Sequence, residues 1–290
     1  MPATEIPHAF SSLRGRVVII TGGGRGLGLE MARALARSGC RVAISGARDG
    51  ADLLAAEDEL AAIAGPANVL ALKADVASWA DCAALARLVL ERFGRIDALI
   101  NNAGRGMLEL SATFNTKPAL FWHSDPQGIR NIIDANVLGP FLMARACVPH
   151  MVAQGFGRVV NISTSAGTMV RKGYAPYGPS KAALEAMSAV WARDLEGTGV
   201  TVNVLLPGGA TDTRLLPGHG AERRGADRRG ADGQLLSPTL MTAPALWLIS
   251  DASGGSSGER YIAKDWNTAL PADAAAAGAR QVRQAQPGIM

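Results

Sequence analysis

Tyr177 and Lys181 stand four residues apart in a Tyr-Gly-Pro-Ser-Lys run. On a helix, positions i and i+4 share a face one turn apart, so the ammonium would lie beside the phenol. A free tyrosine ionises near pH 10, which leaves about one in a thousand as phenolate at neutral pH. A neighbouring cation favours the phenolate, and about 1.4 kcal/mol of such preference makes ionisation tenfold easier. The pair is therefore expected to hold the phenol below its ordinary pKa, as a general acid/base for a carbonyl or hydroxyl oxygen. Tyr174 has Gly178 at its own i+4 position and reads as packing or pocket lining.

A second constellation lies near the N-terminus. The β-branched run at 17–21 leads directly into Thr21-Gly22-Gly23-Gly24-Arg25-Gly26-Leu27-Gly28, and a helical pattern follows. Glycines there permit a tight turn and let the backbone approach a pyrophosphate at the positive end of a helix. The spacing Gly-x-x-x-Gly-x-Gly differs from the commoner Gly-x-Gly-x-x-Gly form.

The elements that must position these groups alternate along the chain. Apolar β-branched runs at 17–21, 41–45, 69–73, 97–101, 158–162 and 200–206 are separated by alanine-rich helical stretches at 26–38, 52–64, 79–93, 127–152 and 176–196. Near-continuously apolar strands alternating with helices predict a parallel sheet covered on both faces. The right-handed crossover rule makes that a doubly wound, Rossmann-like α/β domain, here of about seven strands. The 290 residues, 48% of them apolar and 19% charged, suffice for one such domain with a full core. We place an N-terminal extension at 1–14, the domain at 15–267 with a substrate loop at 209–238, and an alanine-rich tail at 268–290. The tail shows little hydrophobic pattern and is expected to be frayed or laid against another subunit.

Six segments in order resemble the short-chain dehydrogenase/reductase family, from about residue 15 to residue 266. Thr21-Gly22-x-x-x-Gly26-x-Gly28 looks like its cofactor turn, with Arg25 and Leu27 inside it. Asp75, in Ala74-Asp75-Val76, resembles the family's adenine-touching acid. Asn101-Asn102-Ala103-Gly104 is similar to the motif that ends the fourth strand. Asn136 falls where the family places a helix asparagine that holds a proton-relay water. Tyr177 and Lys181 match its catalytic pair, and Pro207-Gly208 its segment after the sixth strand. The family's catalytic serine lies thirteen residues before the tyrosine, which here is Thr164, flanked by Ser163 and Ser165. Threonine keeps the donor and acceptor but is stiffer at χ1. A threonine near the nicotinamide is expected five residues after the proline, where this chain has Asp212; Thr211 or Thr213 could serve instead.

The resemblance implies an oxidoreductase moving a hydride between NAD(P)(H) and a secondary alcohol or ketone. A dinucleotide-binding regulator without turnover, or an epimerase or dehydratase built on the same tyrosine, are the alternatives. The family's NAD-selecting acid falls on Gly46, while Arg25 and Arg48 suit a 2′-phosphate, so NADP is preferred over NAD. The resemblance also implies a homodimer or homotetramer. Cysteines (Cys40, Cys82, Cys147) and histidines show no ligand spacing, so no metal is expected. Net charge of +4 and an arginine-rich stretch at 214–237 interrupted by aspartates do not point to nucleic acid. With neither an N-terminal apolar segment nor a lipid-spanning run read from the sequence, a cytoplasmic location without membrane contact is expected.

Overall fold

The computed structural model describes residues 8–47, 50–217, 229–230 and 233–281. Six strands come first: β1 (Val17–Thr21), β2 (Arg41–Gly46), β3 (Val69–Lys73), β4 (Ala98–Asn101), β5 (Gly157–Ile162) and β6 (Val200–Leu206). A short antiparallel ladder, β7 (Arg229–Gly230) with β8 (Gly233–Gln234), stands apart from them. Near the C-terminus, β9 (Arg260–Ile262) and β10 (Arg280–Gln281) complete one eight-stranded sheet, in the order β10-β9-β6-β5-β4-β1-β2-β3. Only the β10 edge pairs antiparallel; every other neighbour is parallel. The chain winds outward in both directions from the β4–β1 boundary, and the crevice at such a switch point opens at the carboxyl ends of the strands.

Helices cover both faces. Along the chain they are α1 (Gly26–Arg37), α2 (Gly50–Ala64), α3 (Trp79–Phe93), α4 (Pro126–Ile133), α5 (Gly139–Gln154), α6 (Ala166–Met169), α7 (Tyr177–Asp194), α8 (Thr242–Ile249) and α9 (Ala272–Ala279). One core joins α1, α2, α8 and α9 to the sheet through Met31, Leu35, Leu60, Leu248 and Ala276. The other packs α3 and α5 on the opposite face through Leu85, Val89, Met143 and Cys147. Alternate residues of β1 serve each side: Val18 and Ile20 join the first core, Val17 and Ile19 the second. Both faces of the strand are thus buried, as its unbroken apolar run demands.

The expected helix at 127–152 is instead two α-helices joined by a π-helical turn, Asp134–Leu138. The combined helix, Pro126–Gln154, is long and apolar enough by length and composition to cross a membrane, which the expectation of no lipid-spanning run did not foresee. Half of its most apolar window is buried, because it carries the second core.

The described part of the tail, to residue 281, also differs from expectation. Ala275, Ala276 and Ala279 of α9 are buried, and the Trp247 indole donates to Asp273 at 2.7 Å. The β10 strand then pairs with β9 and supplies the eighth strand. Alanine packs a helix closely without the large periodic side chains by which amphipathic helices are recognised.

Candidate active site

The glycine turn leaves β1 at its carboxyl end. Gly22 and Gly26 take φ values of +64° and +56°, which L side chains rarely adopt. A Cβ on Gly28 would lie 2.3 Å from the Gly22 carbonyl oxygen and 2.5 Å from Asn102 Nδ2, so only glycine fits there. Arg25 provides no side-chain cap for α1. The first turn of that helix thus presents backbone N–H groups, the arrangement that binds phosphate.

The end of β4 is stitched to this turn. Asn102 Nδ2 donates to the Thr21 and Gly22 carbonyls at 2.9 and 3.0 Å. Thr21 Oγ1 in turn accepts from the Asn102 and Ala103 amides at 3.1 and 3.0 Å. Gly104 follows, and its missing side chain leaves room for two neighbours: a Cβ there would sit 3.0 Å from Asn136 Oδ1 and 3.7 Å from Lys181 Nζ. Gly22, Gly26, Leu27, Gly28 and the Asn102–Ala103–Gly104 backbone form one cradle, with Thr21 buried beneath them.

Lys181 is buried on the first turns of α7, and its Nζ donates to the Ile162 carbonyl at 2.9 Å. Tyr177 opens the same helix, half-buried, and the Thr164 hydroxyl is within hydrogen-bonding reach of its phenol. The two hydroxyls flanking Thr164 are committed elsewhere. Ser163 Oγ donates to Glu185 at 2.5 Å, and Ser165 caps α6 by accepting from the Thr168 amide. Asn136, fully buried in the π-turn, accepts from Arg105 N at 2.8 Å. Its Nδ2 donates to the Arg105 carbonyl and to Ser180 Oγ at 2.9 and 3.0 Å. Single π-turns recur at functional sites, where the wider turn re-aims a side chain.

The electrostatics correct one expectation. Burial pushes the Tyr177 phenol up to about 12; the hydrogen bond to Thr164 opposes this and Tyr174 adds to it. Burial likewise pulls Lys181 down to about 8, against the opposing charge of Glu185. Burial here outweighs the lowering expected from the adjacent ammonium. Lys181 spends a donor on the Ile162 carbonyl, and loss of water outweighs the favourable neighbours.

The remaining candidates fall in two groups. Asp75 accepts from the Ala77 amide at 3.0 Å and faces Arg105 at 3.8 Å, while Val76 packs on Gly139. Pro207 accepts from Lys264 N at 3.0 Å and hands on to Gly208, whose φ of +92° turns the chain back across the strand ends. Along that strap Thr211 is buried and bonds the Gly209 carbonyl, whereas the Thr213 methyl lies over Gly26. Of the two threonines, Thr213 is the one against the glycine turn. Arg25 reaches Asp52 at 3.2 Å, and Arg214 bonds the same carboxylate at 2.5 Å. Arg48 and most of the arginine-rich stretch lie outside the described residues. Among the described residues no cluster could hold a metal ion.

Beside Tyr177 the wall is apolar. Met107, Phe114 and Tyr174 are buried together, with Leu110, Ala119 and Leu216 around them. Phe114 meets Tyr174 edge-on at 5.6 Å, and Tyr174 lies 6.5 Å from Tyr177. Sequence reasoning missed three participants: Glu185, Arg260 and Asp52. Glu185 is four residues past Lys181 and was findable by helical spacing; nothing local marks the other two.

The short chain dehydrogenase family model matches residues 16–223. This chain belongs to that family. It is 32% identical over 248 residues to an L-fucose dehydrogenase from Bos taurus, covering 82% of this chain and 84% of the relative. It is 33% identical over 201 residues to a 3-oxoacyl-[acyl-carrier-protein] reductase from Synechocystis, with 69% and 76% covered. Among solved short-chain dehydrogenase structures, the fold resembles a 3-ketoacyl-(acyl-carrier-protein) reductase from Brucella melitensis complexed with NADH. That match has a TM-score of 0.72 and 30% identity, over 86% of this chain and 96% of the other. The chain is thus an oxidoreductase of the kind that works with a nicotinamide dinucleotide on small molecules.

Proposed function

We propose that this short-chain dehydrogenase interconverts a secondary alcohol and its ketone, with Tyr177 as general acid/base and Thr164, Lys181 and Asn136 as its partners. The observation that carries the reading is the convergence around the start of α7: Thr164 on the Tyr177 phenol, with Lys181 and Asn136 both against Gly104 at the end of β4. In reduction, Tyr177 enters as the neutral phenol and passes its proton to the carbonyl oxygen, which Thr164 holds. The Lys181 ammonium stabilises the phenolate that remains, and Asn136, beside Ser180, lies on the route by which the proton is replaced. The dinucleotide, when bound, supplies or accepts the hydride. Oxidation runs each step backward, with Tyr177 taking the hydroxyl proton.

The two relatives named above act on very different molecules, a sugar and a 3-oxoacyl group. Leu110, Ala119 and Leu216, half-buried on the Met107–Phe114–Tyr174 cluster, offer apolar surface and little to hydrogen-bond a row of hydroxyls. We therefore assign a carbonyl compound with an apolar arm over a polyol. For the cofactor, NADP(H) is preferred over NAD(H): Gly46 lacks the carboxylate that repels a 2′-phosphate, and Arg25 can meet one. Asp52 competes for that guanidinium, so the preference should be moderate. Three buried free thiols suit a reducing, cytoplasmic setting. We further propose pairing of subunits through the α5 and α7 surfaces.

The test is turnover of a 3-oxoacyl thioester and a cyclic ketone, with L-fucose oxidation in the reverse direction, each with both cofactors. Tyr177→Phe should lower turnover by about 10²- to 10⁴-fold while NADPH binding, read by fluorescence, stays near normal. Wild-type turnover in that variant would end the assignment.

A further inference from the structure

Three consecutive residues at the end of β5 are each held by a different charged side chain. Lys181 Nζ takes the Ile162 carbonyl at 2.9 Å. Glu185 takes the Ser163 hydroxyl at 2.5 Å. Arg260 Nη2 takes the Thr164 carbonyl at 2.8 Å. The last two holders are themselves paired, since Arg260 Nε lies 3.0 Å from both Glu185 oxygens. Both side chains are largely withdrawn from solvent, 18% and 21% exposed. The remaining guanidinium nitrogen, Nη1, bonds the Gln281 side-chain oxygen on β10.

The arrangement has a clear direction. Lys181 and Glu185 are one turn apart on α7, so the helix that carries Tyr177 also carries two of the three holders. Arg260 comes from β9, beyond β6 from β5, and closes the third hold across the intervening strand. A guanidinium suits this because its planar fork reaches a carboxylate and a carbonyl at once; a lysine ammonium is a single point. A β-branched residue such as Thr164 has few χ1 choices. Fixing its backbone therefore fixes where its hydroxyl points.

We propose that the Arg260–Glu185 ion pair is the positioning device for Thr164, setting its hydroxyl against the Tyr177 phenol. The proposal rests on the assignment of Tyr177 and Thr164 made above. Arg260 touches neither substrate nor cofactor in this scheme; it acts through the Thr164 backbone.

The protein has three tyrosines, so ring-carbon (Cζ) labelling gives three NMR signals, with Tyr177 assigned by its loss in Tyr177→Phe. In the wild type without substrate, the Tyr177 signal reports the Thr164 hydrogen bond. Arg260→Gln is expected to move that signal, and Arg260→Lys to move it as well. With the ketone that turns over best, both variants should lose kcat by roughly 10- to 100-fold, the effect of a small misplacement at a reacting centre. Their KM for NADPH and their NADPH affinity should stay within about two-fold of wild type, because the glycine turn is untouched. Glu185→Gln, isosteric but uncharged, is the second variant should Arg260→Gln not fold, and should show the same signal shift. An unmoved Tyr177 signal, full rescue by lysine, or equal losses in kcat and cofactor affinity would overturn the proposal. Turnover retained in Tyr177→Phe would instead remove the assignment beneath it, so the two failures are distinct.

Discussion

A phenol that burial pushes up to about 12 is a proton donor at neutral pH, not a base in waiting. Lys181, pulled down to about 8, is the group whose charge changes within the working range. Below that value its ammonium is present to stabilise the phenolate formed in reduction; above it the ammonium is lost. Reduction should therefore be level to about pH 8 and decline above it, while oxidation, which needs a proton acceptor, should climb with pH. Initial rates in each direction from about pH 6 to 10 check this. A reduction rate that rises through that pKa would contradict it. Thr164 gives a sharper contrast. Its hydrogen bond draws the phenol down, so Thr164→Val, similar in shape but without the hydroxyl, leaves Tyr177 higher still and a weaker partner for either step. Turnover should fall by about 10- to 100-fold in the valine variant, whereas Thr164→Ser should stay within several-fold of wild type. A serine variant as slow as the valine one would mean that the methyl matters more than the hydroxyl.

Between β1 and α1, the backbone itself forms the proposed dinucleotide cradle. A methyl group on Gly28 would meet the Gly22 carbonyl oxygen and Asn102 Nδ2, both inside ordinary contact distance, and the turn would have to open. Overpacking of this kind costs about 1–3 kcal/mol. Gly28→Ala should thus weaken NADPH binding at least as much as it lowers Tm; a variant that binds normally would show the turn is not the cradle. This element was legible in the sequence because glycine spacing is local chemistry, and five of the first six strands, all but the edge strand β3, were legible because a strand buried on both sides must be apolar throughout. Thr164 was singled out by the family resemblance, through its offset from Tyr177, and not by any local chemistry of its own. Other parts were hidden by distance or by mildness. Arg260 and Glu185 meet across 75 positions of chain, and no periodicity announces such a pair. The π-turn around Asn136 sits inside what reads as one helix, and α9 packs through alanines that carry little hydropathy signal. The phenol's pKa was misjudged because spacing reports which charge is near, whereas desolvation depends on everything around it.

For the molecule as a whole, the sheet has its active-site crevice at one end and both faces covered, yet apolar side chains remain outside. Ile133, Leu138, Phe141 and Val152 on the α4–α5 helix are exposed, as is Val190 on α7. Leu138, Phe141, Arg145, Val148 and Val152 recur at helical spacing along one stripe, so the exposed set is a face and not a scatter. A stripe of this size on a helix is the signature of a contact surface more than of chance exposure. A second copy can cover it by two-fold symmetry, each subunit laying the same helices on the other. Such pairing would also brace α7 from outside, the helix that carries Tyr177, Lys181 and Glu185. Phe141→Glu, facing solvent at 43% exposure in the single chain, should leave the monomer's fold intact and place unpaired charges in the shared surface. Light scattering behind size exclusion should then show the proposed wild-type oligomer replaced by single chains in the variant, with kcat lowered and NADPH affinity nearly kept. If the variant runs as the same oligomer as wild type, the α5 face is not where the subunits meet.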